Sequence, residues 1–193
     1  MRVSINIVAI GGTVSPISAT EQALCVAAAR AKAKGAHVDV FGGSYLGALP
    51  HYRGPLHGPD DGARLVAAVR AADGILIAAP GYHGTISGLV KNALDYLEDL
   101  AGDARPYLDG RAVGLIATAY GDQATMSTMQ TLRSIVHALR GWPTPMGATV
   151  RTYRGLFSPD GECLEDRARF QLELVADQLV SGASSFAAAR KVA

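Results

Sequence analysis

The sequence lacks most of the features that would assign it to a function class directly. It has only two cysteines, Cys25 and Cys163, far apart and without metal-ligand spacing. That pattern speaks against a disulfide framework or a zinc site and leaves both as buried or idle thiols. Neither sign of charge dominates, with 18 Lys+Arg against 17 Asp+Glu and a net charge of +1. No basic run stands out, so neither nucleic acid nor an anionic membrane is an expected partner. No apolar run reaches the ~20 residues of a bilayer-spanning helix. The opening "MRVSINIVAIGG" reads as a first strand rather than a signal peptide, and the expected compartment is the cytoplasm.

Catalytic signatures are missing as well. There is no G-x-S-x-G elbow, no H-E-x-x-H and no C-x-x-C. His37, His51, His57 and His137 share no spacing that would make a metal set. No Gly-Lys-Ser/Thr follows the first glycine-rich turn, which excludes a P-loop, and G-x-G-x-x-G is absent too.

What the sequence does contain is alternation. Five short apolar runs stand at Val3–Ile10, His37–Gly42, Gly74–Pro80, Ala112–Ala119 and Met146–Arg151. The first, third and fourth are nearly continuous, as parallel strands covered on both faces are; "HVDV" alternates, as an edge strand does. Helical patterns fill the gaps: Ser18–Lys34, Asp60–Ala72, a stripe of Ile86, Leu89, Val90, Ala93, Leu94 and Leu97, another of Met126, Met129, Leu132, Val136 and Leu139, and a last helix over Glu162–Ser181. In 193 residues this predicts one domain, 1–185, with 186–193 a frayed tail. The fold class is α/β, a doubly wound five-stranded parallel sheet of order 2-1-3-4-5. That order puts a ligand crevice at the C-terminal ends of strands 1, 3 and 4.

Three loops meet there. "GGTVSPISAT" offers the hydroxyls of Thr13, Ser15, Ser18 and Thr20 at a helix start, where free N–H groups favour an anion. Capping alone needs one hydroxyl, and Ser18 with Glu21 forms a capping box. Four hydroxyls tilt the reading to phosphate, although Glu21 would repel it. "PGYHGTIS" carries Pro80, Gly81, Tyr82, His83, Gly84 and Thr85, two glycines for close approach of a flat ligand and two rings beside them. An ordinary strand-to-helix turn, capped by Ser87 or Thr85, would explain only part of this. "AYGDQ" adds Tyr120, Gly121 and Asp122, with Asp122 expected to cap the next helix.

On these residues the chain resembles the flavodoxin-like NAD(P)H-dependent FMN reductases. The pattern P-x-Y-x-x-x-x-x-G-x-L-K-N-x-x-D stands here as Pro80, Tyr82, Gly88, Val90 in place of Leu, Lys91, Asn92 and Asp95. In the first loop Ser18 and Thr20 fit, while Gly12 replaces a common Ser and Val14 a common Arg; the closing "FSPDGECLEDRARFQLEL" is similar too. The resemblance implies a flavodoxin-like fold and FMN as cofactor. Thr13, Ser15, Ser18 and Thr20 would hold its phosphate, and Pro80 to Thr85 with Tyr120, Gly121 and Asp122 would hold its ring. It also implies NADPH or NADH as hydride donor. The reduced flavin would go to a partner monooxygenase or to a quinone, azo or nitro compound, from a homodimer or homotetramer. No catalytic side chain is expected. Lys91, Asn92 and Asp95 would brace their helix, Tyr96 and Leu100 would be free for an interface, and the Gly42–Gly58 loop would run near the crevice. The rival expectation is an FMN-containing electron carrier without nicotinamide activity, against which the near-neutral charge speaks.

Overall fold

The computed structural model describes residues 5–55 and 61–191. Val3, Ser4, His57, Gly58, Asp60 and the last two residues, on which some expectations fell, lie outside these. The parallel strands are β1 (Asn6–Gly11), β2 (His37–Phe41), β3 (Gly74–Tyr82), β5 (Ala112–Ala119) and β6 (Trp142–Arg151). They pair in the order β2-β1-β3-β5-β6, with a two-residue β4 (Thr85–Ile86) antiparallel to β3. Counting the parallel strands alone, this is the expected 2-1-3-4-5 sheet.

Side chains on successive strand residues face opposite layers, and the sequence fills both. Val8, Ile10, Ile75, Ile77, Val113 and Leu115 pack with α3 (Asp61–Ala71), α4 (Gly88–Asp95) and α5 (Asp122–Ala138). Ile7, Ala9, Leu76, Ala78 and Ile116 pack with α1 (Ala19–Ala33) and α6 (Asp166–Arg190). A short helix α2 (Gly43–Ala48) follows β2.

Five expectations need correction. Ile86, expected on the stripe of α4, stands on β4 ahead of that helix. The β6 strand starts at Trp142, four residues before the expected Met146, despite Pro143 and Pro145. It tolerates them because it is an edge strand with a register shift opposite Val113–Leu115. There the Met146 N–H donates to Gln178 Oε1 at 2.8 Å and the Thr149 N–H to Gln171 Oε1 at 3.0 Å. The last helix begins later and runs to Arg190, so residues 186–190 are helix rather than tail. Phe186 packs on Trp142 with ring centroids 5.7 Å apart, and Arg190 is paired with Asp73. Met126 of the α5 stripe and Leu164, ahead of α6, are exposed. Tyr96 and Leu100 are buried in the core, which removes them from any interface.

The Gly42–Gly58 loop is tied to α4 as far as it is described. The Asn92 side chain accepts from the Tyr52 N–H at 2.9 Å and donates to the Pro50 carbonyl at 2.9 Å. The Tyr52 hydroxyl donates to Asp99 at 2.8 Å. Lys91 pairs with Asp95 one turn on. Burial first, then the Asp99 carboxylate, pushes the Tyr52 phenol up to about 12.

At the opposite end of the sheet Arg111 is 1% exposed. Its guanidinium donates to the carbonyls of Arg70 (2.9 Å), Ala72 (3.2 Å), Tyr107 (3.1 Å) and Asp109 (3.3 Å). Two of these close the C-terminus of α3, so one cation satisfies carbonyls that the helix leaves open. Burial, then the charges of Arg105 and Arg190, lowers its pKa to about 10.

Arg111→Met is expected to cost about 3 kcal/mol in urea unfolding, because the Arg70, Tyr107 and Asp109 carbonyls lose this donor while Ala72 keeps Arg105; an unchanged midpoint would contradict that role. Tyr52 holds its proton more tightly folded than unfolded. Stability therefore falls as pH rises from the ordinary phenol range near ~10 toward the folded value of about 12. In Tyr52→Phe that alkaline loss becomes shallower, measurable from thermal midpoints across this window.

Candidate functional site

The three loops converge at the C-terminal ends of β1, β3 and β5. They border an open cleft of about 2010 Å³. A usual small-ligand pocket is ~300–1,000 Å³, so this one has room for more than one nucleotide-sized ligand. Its walls include Thr13, Ser15, Ser18, Thr20, Pro80, Gly81, Tyr82 and Tyr120. His83, Gly84, Thr85, Gly121 and Asp122 stand outside this wall and are exposed.

The first loop is built around one hydroxyl. Ser18 is the N-cap of α1 with extended backbone, φ −94° and ψ 108°. Its Oγ accepts from the N–H of Glu21 and of Thr13, each at 3.1 Å, and the residue is 7% exposed. Two accepted bonds leave the hydroxyl proton to donate elsewhere. The N–H groups of Ala19 and Thr20, the first two of the helix, meet no acceptor among the described residues. Thr13 Oγ1 accepts from the Ser15 N–H at 3.3 Å, and Ser15 Oγ reaches the Ile17 carbonyl at 3.4 Å, so both hydroxyls hold the loop to itself.

Two details differ from the sequence expectation. Only half of the capping box forms: the Glu21 carboxylate accepts from the Gly43 N–H at 3.0 Å, which ties it to the start of α2. The Thr20 hydroxyl is buried and bonded to Thr118 Oγ1 at 2.7 Å. What Thr20 leaves available is its backbone N–H. Thr118 was missed at the sequence level, although a hydroxyl in the apolar run "AVGLIATA" is a signal.

The second loop is a hairpin. Gly81 pairs with Ile86 and Tyr82 with Thr85. His83 and Gly84 are the two turn residues, with φ of 51° and 90°. Positive φ at both positions is the primed turn that matches strand twist, and it explains the glycine at 84. Gly81 has a different reason. A Cβ there would lie 2.4 Å from Thr128 Oγ1 of α5. Its bareness lets helix and strand touch rather than admitting a ring. Ser87 caps α4, accepting from the Val90 N–H at 3.3 Å.

In the third loop the N-cap of α5 is Gly121, and no side chain caps it. Asp122 is the first helical residue, where its charge favours the helix dipole. Tyr120 is 89% exposed and Tyr82 51% exposed, two flat faces at the cleft. Sequence reading also missed the segment after β6: Thr152 to Gly155 and Phe157 to Cys163 form the far wall. The Thr152 N–H fixes this segment to the end of β5, donating to the Ala119 carbonyl at 2.7 Å. The exposed Cys25 and the buried Cys163 border the same cleft, and desolvation pushes both thiols above the usual thiol range, the opposite of an activated nucleophile.

The donor set fits a phosphate ester followed by a flat ring system such as FMN. The Ser18 hydroxyl and the Ala19 and Thr20 amides stand together at a helix start, and the carboxylate beside them, Glu21, borders the cleft and accepts from the Gly43 N–H. Gly81→Ala is expected to destabilise the fold by about 1–3 kcal/mol through this forced contact. The Gly81→Ala/Thr128→Ala pair is expected to recover most of that loss in a double-mutant unfolding cycle. Equal losses in both backgrounds would contradict the contact.

Residues 5–153 match the family model described as NADPH-dependent FMN reductase. An FMN-dependent NADPH-azoreductase from Staphylococcus haemolyticus (strain JCSC1435) is 35% identical over 117 residues, 58% of this chain and 57% of that protein. The match thus spans little more than half the length of this curated relative. Among solved structures, a flavoenzyme NAD(P)H:(acceptor) oxidoreductase from Paracoccus denitrificans has a TM-score of 0.79 at 18% identity, covering 94% of this chain and 98% of that one. A flavodoxin of Streptococcus pneumonia TIGR4 has a TM-score of 0.61 at 14% identity, covering 92% and 99%. Likeness at these identities is one of fold, and the fold is flavodoxin-like. With the matched segment running from β1 through the end of β6, the chain belongs to the NADPH-dependent FMN reductase family.

Proposed function

We propose that this protein is an FMN-binding oxidoreductase that takes hydride from NADPH or NADH. The electrons pass to a quinone, azo or nitro compound, or leave as reduced flavin for a partner monooxygenase. The observation that carries the reading is the start of α1, where one hydroxyl proton and two amides are left without acceptors among the described residues.

The chain's own work is positional. Ser18 and the amides of Ala19 and Thr20 would hold the FMN phosphate, with the α1 dipole adding to the attraction. Thr13 and Ser15 keep this loop in shape through their local bonds. The Thr20–Thr118 hydroxyl pair ties the start of α1 to the end of β5. Pro80, Gly81, Tyr82 and Tyr120 would border the ring. His83, Gly84, Thr85, Gly121 and Asp122 support the reading at one remove, by setting the β3–β4 turn and the start of α5. Bound flavin supplies the acceptor of the hydride. No side chain is required as general acid or base, only two flat rings held face to face with water excluded.

The protein mixed with FMN is expected to show a bound-flavin spectrum that bleaches anaerobically on adding NADPH or NADH. Absence of flavin binding would refute the proposal, and binding without bleaching would leave an electron carrier. Ser18→Ala is expected to weaken FMN binding about tenfold, the loss of one good donor to a charged group. Riboflavin, which lacks the phosphate, is expected to bind this variant as it binds the native chain. Equal weakening of both flavins would instead mark a general loss of structure.

A further inference from the structure

The cleft is larger than one nucleotide needs, and its far wall holds one cation without an assigned task. Residues Tyr153–Leu156 form a tight turn in which the Leu156 N–H donates to the Tyr153 carbonyl at 3.2 Å. Gly155, at the third position, has φ +89°, while Arg154 before it has negative φ. This is a type II turn, with Arg154 at its corner. The turn is held at both ends. Thr152 is bonded to the tip of β5, and Leu156 is buried at 1% exposure.

The other cationic side chains of the cleft wall are engaged. Arg30 forms two bonds with Asp177 at 2.8 Å, and Arg169 is paired with Asp166. Arg154 is exposed and has no carboxylate within ion-pair distance among the described residues. Beside it Tyr153 is 47% exposed and borders the same cleft. An arginine fork next to an open aromatic face is suited to a phosphomonoester attached to a purine nucleoside.

Two phosphomonoesters are at issue, the FMN 5′-phosphate and the 2′-phosphate of NADPH. The first already has donors at the start of α1. The β6 strand stands three places from β1 in the sheet, about 14 Å at ordinary strand spacing. Arg154 also lies one residue beyond the segment that matches the family model. We infer that Arg154 is a specificity-determining residue that takes the 2′-phosphate of the nicotinamide nucleotide and makes the protein prefer NADPH, with Tyr153 beside the adenine. This rests on the proposed flavin and nicotinamide function.

The test is equilibrium binding to the FMN-loaded protein, by calorimetry, of 2′,5′-ADP against 5′-AMP, which differ in the 2′-phosphate. The native protein is expected to prefer 2′,5′-ADP by about tenfold, the scale of a charge-assisted contact at an exposed site. Arg154→Gln is expected to abolish that preference, and Arg154→Lys to keep part of it. The affinities for FMN and riboflavin are expected to stay unchanged in both variants. A preference that survives in Arg154→Gln would overturn the inference. So would a loss confined to FMN over riboflavin, which would reassign Arg154 to the flavin phosphate. Failure of the native protein to bind FMN at all is a separate result, and it strikes the proposed function first.

Discussion

The candidate site depends on one hydroxyl accepting two bonds. Ser18 Oγ takes the Thr13 N–H from the loop before it and the Glu21 N–H from the helix after it. A single buried atom thereby closes the β1–α1 connection and starts the helix. The consequence is geometric. With the Thr13 and Glu21 amides satisfied, the donors left over include the Ala19 and Thr20 amides and the Ser18 proton, and these residues border the cleft. Glu21, in the first turn of α1, completes the arrangement by accepting from the Gly43 N–H, which ties the segment after β2 to the same helix start. An anion can then be bound without a lysine or arginine in the loop, by amides and a dipole alone.

The sheet brings everything else to this point. Its order sets β1 between β2 and β3, so the connections after β1 and β3 leave on opposite sides of the sheet, and the crevice opens where they part. The floor of that crevice is polar at one place, the Thr20–Thr118 pair, and flat-sided where Tyr82 and Tyr120 stand exposed. A reaction between two planar cofactors asks for such a slot and for little else.

Much of the fold was legible because its signals are strong ones. Near-continuous apolar runs such as Gly74–Pro80 and Ala112–Ala119 fit buried parallel strands once helices alternate with them, and 2-1-3-4-5 is a common order for five such strands. The misses have local physical causes. Trp142–Pro145 did not read as strand because prolines argue against one, and only the edge position and register shift make them acceptable. Residues 186–190 looked like a tail because their packing partner Trp142 is 44 positions away in the chain. In the site, composition pointed to the right loops but not to each atom's task. Gly81 and Gly84 look alike in sequence; one is bare to let α5 in and the other to turn the chain. The four hydroxyls of the first loop also look alike, yet Thr20 is spent on Thr118, Ser15 donates within the loop, Thr13 accepts from the Ser15 N–H, and the buried Ser18 hydroxyl accepts two bonds and keeps its proton at the helix start. The far wall at Thr152–Gly155 was invisible, because no periodic pattern marks a type II turn as part of a cleft.

The measurement closest to the core of this picture is an amide chemical-shift titration with FMN and, separately, with riboflavin. The Ala19 and Thr20 amides are expected to move downfield with FMN and to stay near their free positions with riboflavin, while the signals of Tyr82 and Tyr120 respond to both. If FMN leaves the Ala19 and Thr20 amides unmoved while binding elsewhere on the protein, the start of α1 is not where the phosphate sits.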